Sequence, residues 1–138
     1  MQWDDSEKAG FTEGTSWISV NPNHREINAK ACLEDENSVF YYYQKLIKLR
    51  HEMPIITDGV YELLDADNEQ VYTYLRRGKN ETLVVLANFT EETIMYRLGD
   101  EWKEKEGRLL LSNYETAPET FSGEITLEPY GAYVYHIV

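Results

Sequence analysis

A chain of 138 residues with 42% hydrophobic content carries enough apolar material for a packed core, so global disorder is excluded and one ordinary domain, or a small domain with an appendage, is expected. The net charge of −12, from 25 acidic against 13 basic residues, argues against nucleic acid as a partner and against docking on anionic membrane, because both need a Lys/Arg footprint. Cys32 stands alone, so no internal disulfide forms. No apolar run approaches the roughly 20 residues of a membrane span, and Met1-Gln2-Trp3-Asp4-Asp5 lacks the regions of a signal peptide. A soluble cytoplasmic setting is the expectation.

Residues 1–34 show neither helical nor strand periodicity and read as a long loop rich in Gly, Asn, Pro and Trp. Trp3, Phe11 and Trp17 sit in it, three large aromatics that a stand-alone domain rarely leaves without a core. Over about 35–53 the pattern becomes helical. Val39, Tyr42, Leu46, Leu49 and Met53 recur at three- and four-residue steps, with Phe40, Tyr43 and Ile47 as an adjoining stripe. Asp35 or Asn37 suits the start and Pro54 ends it. This wide apolar face predicts ordinary core packing, either on the domain that follows or on a neighbour outside the chain.

From residue 59 the period changes to two. Predicted strands are Val60–Leu64, Val71–Arg77, Thr82–Asn88, Thr93–Leu98, Arg108–Leu111, Glu124–Leu127 and Ala132–Ile137. Asp65-Ala66-Asp67-Asn68-Glu69, Gly78-Lys79-Asn80, Ser122-Gly123 and Pro129-Tyr130-Gly131 supply turns between them. Leu83-Val84-Val85-Leu86-Ala87 reads as a central strand buried on both faces. Glu101-Trp102-Lys103-Glu104-Lys105-Glu106 reads as an exposed charged connection. The fold class is therefore mainly β: an antiparallel Greek-key β-sandwich preceded by a loop and one helix. The boundary falls near 54–58, giving parts 1–55 and 56–138.

No catalytic set emerges. His24, His51 and His136 lie in different kinds of element and none has a Cys or His at metal-ligand spacing, so no metal or other cofactor is expected. Asp65–Glu69 lacks the Gly and distal Glu of a calcium loop and fits a hairpin turn better. Asn80-Glu81-Thr82 and Asn88-Phe89-Thr90 match a glycosylation pattern but read as chance matches beside strands. Asp4-Asp5 are adjacent carboxylates. Glycoside cleavage with retention needs two carboxyl groups opposed across a sugar, about 5–5.5 Å apart, and adjacency alone does not create that. Cys32 reads as a small buried hydrophobe.

Met1-Gln2-Trp3-Asp4, Ala9-Gly10-Phe11-Thr12, Trp17-Ile18, Val20-Asn21-Pro22-Asn23 and Ile27-Asn28 together resemble a run found in α-glucosidases of the α-amylase superfamily. The oligo-1,6-glucosidase (dextran glucosidase) branch is the nearest in pattern, with trehalose-6-phosphate hydrolases as siblings. The resemblance continues through Phe40–Arg50, Leu83–Thr90 and Leu127–Tyr135. It implies a (β/α)8 barrel ending in residues 1–55, whose last helix is about 35–53, and a C-terminal β-sandwich from 56 to 138. It further implies that Gln2, Trp3, Asp4 and Phe11 shape the rim of the sugar pocket in the intact enzyme. The family's three catalytic carboxylates precede the Met-Gln-Trp-Asp run, so the resemblance implies no catalytic residue in this chain. The expected role is structural support of the barrel, with α-gluco-oligosaccharide bound only by the intact parent and self-association of the piece through uncovered apolar surface. Two other readings stand beside it: a stand-alone carbohydrate-binding module, marked by a row of exposed Tyr or Trp, and an oligomerisation domain.

Overall fold

A computed structural model describes all 138 residues, which form two compact units, Met1–Lys48 and Leu49–Val138. In the first unit the expected 1–34 loop proves partly helical. A 3-10 turn spans Pro22–Arg25 and a helix α1 spans Ala29–Glu34. Both have a local cause. Asn21 caps the turn through its side chain, with Pro22 at the first position, where a missing N–H costs nothing. The Asn28 side chain accepts from the Ala31 N–H at 2.8 Å and so caps α1. Six residues are too few for apolar periodicity to betray a helix.

Helix α2 spans Val39–Glu52, four residues later than predicted. The Asp35 side chain accepts from the Asn37 N–H, and the Ser38 N–H donates to the Asp35 carbonyl, which closes a turn ahead of the helix. The Ser38 hydroxyl then donates to the Cys32 carbonyl at 2.6 Å and ties α1 to the start of α2. Core packing was expected for the apolar face of α2, yet none of its residues is buried. Pro54 ends the helix and opens a single turn, α3, at Ile55–Asp58.

The second unit is antiparallel β. Its strands are β1 Val60–Leu64, β2 Val71–Arg77, β3 Thr82–Asn88, β4 Ile94–Arg97, β5 Gly107–Ser112, β6 Thr120–Phe121, β7 Glu124–Leu127 and β8 Ala132–Ile137. Seven were expected; the eighth, β6, is two residues long and carries no alternation to read. Six strands form one sheet in the order β1-β2-β3-β8-β5-β6, and β4 pairs with β7 in a second. Leu75, Val84, Leu86, Tyr133 and Tyr135 from the large sheet meet Tyr96, Ile125 and Leu127 from the small one in a single core cluster. Each large apolar side chain so buried contributes about 1.5–3 kcal/mol. Strand β3 is not sealed on both faces, since Val85 and Ala87 are only half-buried.

Two local readings are overturned. The 101–106 segment is not simply an exposed connection, because Trp102 is 1% exposed and plugs the core from a 3-10 turn at Asp100–Trp102. The Lys105 ammonium lies 4.7 Å and the Arg77 guanidinium 5.5 Å from its ring centre, so part of the charge run serves the indole. Cys32 is half-buried rather than a core residue. Asp65–Asn68 does form the β1–β2 hairpin turn: Asp65 has φ 49°, and the Asn68 amide donates to its carboxylate at 2.7 Å.

Candidate functional site

The residues singled out from sequence lie on the Met1–Phe11 loop, and backbone bonds fix its path. The Trp3 N–H donates to the Ala9 carbonyl at 2.9 Å, closing the loop on itself. The carbonyls of Gln2 and Trp3 accept from the N–H groups of Ala29 and Lys30, so the strand-like entry is stapled to the first turn of α1. At the loop's tip, Ala9 and Gly10 take positive φ, 49° and 71°. A Cβ on Gly10 would lie 2.9 Å from the Trp3 Cβ, so glycine is required both for its φ and for room.

Asp4 acts inside this loop. Its Oδ1 accepts from the Ser6 N–H at 3.0 Å and from the Ser6 hydroxyl, and that hydroxyl accepts in turn from the Gly10 N–H. These bonds, the hydroxyl first and the backbone second, hold the Asp4 carboxyl below the usual carboxylate range, with weaker help from Lys30 and His24. The Gln2 amide donates to Asn23 Oδ1 at 3.2 Å and to the Ile27 carbonyl. Trp3 and Phe11 keep about half their surface exposed.

The four residues are not gathered in one cavity. Gln2 and Phe11 border a groove of about 510 Å3 with Trp17 and Val20. Trp3 borders a second, of about 460 Å3, beside Leu33 and Phe40. Gln2 also edges a third, of about 630 Å3, whose apolar wall includes Cys32 and the α2 side chains Val39, Tyr43 and Ile47. Asp4 borders none of these three, and none has a pair of carboxylates in its lining. The arrangement offers aromatic and apolar surface with a few amides.

Sequence reasoning gave no structural role to two buried polar residues here, His24 and Asn28. Asn28 both caps α1 and donates to the His24 carbonyl at 2.8 Å. His24 is buried; its Nδ1 lies 3.0 Å from the Asn21 carbonyl, while its Nε2 has no protein partner. The Asn21-Pro22 pair and the Asn28 cap position were the available signals. The Asn88-Phe89-Thr90 motif is structural: Asn88 is 3% exposed, and its amide donates to the carbonyls of Glu92 and Glu128.

Two family descriptions cover almost the whole chain. Residues 1–59 match the alpha amylase catalytic domain and residues 61–134 the maltogenic amylase C-terminal domain. An oligo-1,6-glucosidase of Parageobacillus thermoglucosidasius is 53% identical over 99% of this chain but only 24% of its own length. A trehalose-6-phosphate hydrolase of Bacillus subtilis (strain 168) is 46% identical, again over 99% of this chain and 24% of the relative. Among solved structures, the trehalose-6-phosphate hydrolase of Bacillus licheniformis superposes with a TM-score of 0.92 at 42% identity, over 99% of this chain and 25% of that one. The chain thus spans about a quarter of the length of the proteins it matches.

Proposed function

Because the chain belongs to the α-amylase superfamily, with a maltogenic amylase C-terminal domain over residues 61–134, we propose that it is the non-catalytic C-terminal portion of a cytoplasmic α-glucosidase. In this reading residues 1–55 complete a (β/α)8 barrel, with α2 as its last helix, and residues 56–138 form a Greek-key sandwich that supports it. The intact enzyme hydrolyses α-1,6- or α-1,4-linked gluco-oligosaccharides with retention. Gln2, Trp3, Asp4 and Phe11 then belong to the rim of its sugar pocket, where aromatic faces suit sugar faces. Asp4 is the stiffener of that rim, through Ser6, rather than a reacting group.

The observation that carries this reading is the 53% identity sustained across nearly the whole chain to a quarter of an oligo-1,6-glucosidase. An enzyme deprived of nucleophile and acid keeps at most the small rate enhancement of its binding groups. The purified chain is therefore expected to leave p-nitrophenyl α-glucoside and isomaltose intact. Turnover by the chain, lost on a single carboxylate substitution, would overturn the reading.

A further inference from the structure

Gln2 has a side chain whose hydrogen bonds leave one atom over. Its amide nitrogen donates to Asn23 Oδ1 at 3.2 Å and to the Ile27 carbonyl. A backbone carbonyl can only accept, so the second bond fixes which end of the amide is nitrogen. The two acceptors belong to one turn: the Ile27 N–H donates to the Asn23 carbonyl at 2.9 Å, and the Asn23 N–H donates to Asn21 Oδ1 at 3.2 Å. The main chain is held as well, since the Gln2 carbonyl accepts from the Ala29 N–H at 2.9 Å. Both amide protons of Gln2 are thereby engaged, and Oε1 is the hydrogen-bonding atom that remains. Gln2 is half-buried and stands in the wall of the groove of about 510 Å3.

We infer that Gln2 is a specificity-determining residue whose Oε1 accepts from a hydroxyl of the sugar on the leaving-group side of the scissile bond, and that Asn23 is the positioning residue that aims it, an inference that rests on the proposed function. The composition of the groove favours a sugar. The rings of Phe11 and Trp17 stand among the hydroxyl-bearing Thr12, Thr15, Ser16 and Ser19. A pyranose pairs an apolar face with a hydroxyl rim in the same way, and ligand sites of this kind combine apolar surface with a few placed polar groups. The groove of about 630 Å3 lacks that mixture, because α2 gives it an apolar wall. The openness of the smaller groove favours the outer sugar. Phe11 is 50% and Trp17 93% exposed, whereas the sugar being cleaved has to be closed off from bulk water. An acceptor fixed in place also discriminates: a matching hydroxyl gains a bond, and a ligand without one leaves a polar oxygen unpaired.

The test uses a chimera in which the chain replaces the matching 137 residues of the Parageobacillus oligo-1,6-glucosidase. Isomaltose has a sugar as its leaving group, and p-nitrophenyl α-glucoside does not. Gln2→Met keeps the length of the side chain and removes the amide. It is expected to lower kcat/KM for isomaltose about tenfold, the size of one hydrogen bond, and to leave p-nitrophenyl α-glucoside within about twofold. Asn23→Ala removes one of the two acceptors that orient Gln2, and is expected to lower isomaltose alone, by about threefold. A general loosening of the loop slows both substrates together, so equal losses on the two overturn the inference, as does an isomaltose rate that Gln2→Met leaves unchanged. The isolated chain gives a second reading that needs no assembly. In 15N-labelled protein the Gln2 side-chain protons are expected to exchange with water several-fold more slowly than those of the exposed Gln70, and Asn23→Ala is expected to speed them. Equal exchange at the two glutamines overturns the inference. A folded chimera that hydrolyses neither glucoside removes the proposed function, and the inference with it.

Discussion

Asn88 shows how one buried amide ties separate turns. Its amide donates to the carbonyls of Glu92 and Glu128, and its Oδ1 accepts from the Thr90 N–H and hydroxyl. Removing it leaves these groups unpaired at the end of β3. Asn88→Ala is expected to cost about 3 kcal/mol, from several bonds at about 1 kcal/mol each, read as a shift in the urea midpoint with unchanged m. Tyrosine sets the alkaline limit. Burial raises the phenols of Tyr96, Tyr133 and Tyr135 above their ordinary value of 10.0, most strongly Tyr135, whose hydroxyl donates to the Pro118 carbonyl. Above that pH the unfolded chain releases these protons while the folded chain holds them. Stability contributed by these groups is therefore full below about pH 10 and falls as pH rises, by up to about 1.4 kcal/mol per pH unit for each tyrosine. Urea titrations from pH 8 to 11, with phenolate absorbance as the second probe, check this.

At the scale of elements, α2 carries more apolar surface than its own chain covers. Val39, Phe40, Tyr43 and Ile47 are all exposed, and all four wall the groove of about 630 Å3 with Met1, Ile27 and Cys32. Contiguous apolar patches of this kind seek cover. The isolated chain is expected to elute from gel filtration above its 16.2 kDa mass at micromolar concentration. The double variant Val39→Glu, Ile47→Lys is expected to return it to the monomer position without loss of helical circular dichroism. The strands behave differently. Val60–Leu64, Val71–Arg77, Thr82–Asn88, Glu124–Leu127 and Ala132–Ile137 all follow the sequence period to the residue, because alternation and turn residues agree there.

At the scale of the molecule, the two units differ in how they are held. The second has a closed core drawn from both sheets and plugged by Trp102. The first is held by caps and backbone bonds: Asn21, Asn28, Ser6 and the pairing of Gln2 and Trp3 with α1. Its large aromatics stay on the surface, with Trp17 93% exposed. Gln2 and Phe11 border one groove and Trp3 another.

The sequence alone determined the β-rich half, the helix near residue 40, the hairpin at Asp65–Asn68 and the family, because each rests on local period, turn chemistry or an unbroken run of residues. Tertiary structure decided what those signals do not encode. Trp102 lies within a charged run yet fills the core, since burial of an indole depends on the strands that surround it. The apolar stripe of α2 announced that something must cover it, but only the fold revealed that the chain itself half-buries Tyr42 and Leu49 and leaves Val39 and Leu46 exposed. The outward cluster of Tyr61, Tyr72 and Tyr74 likewise exists only through register, because pairing between strands, not spacing along one, brings those rings together.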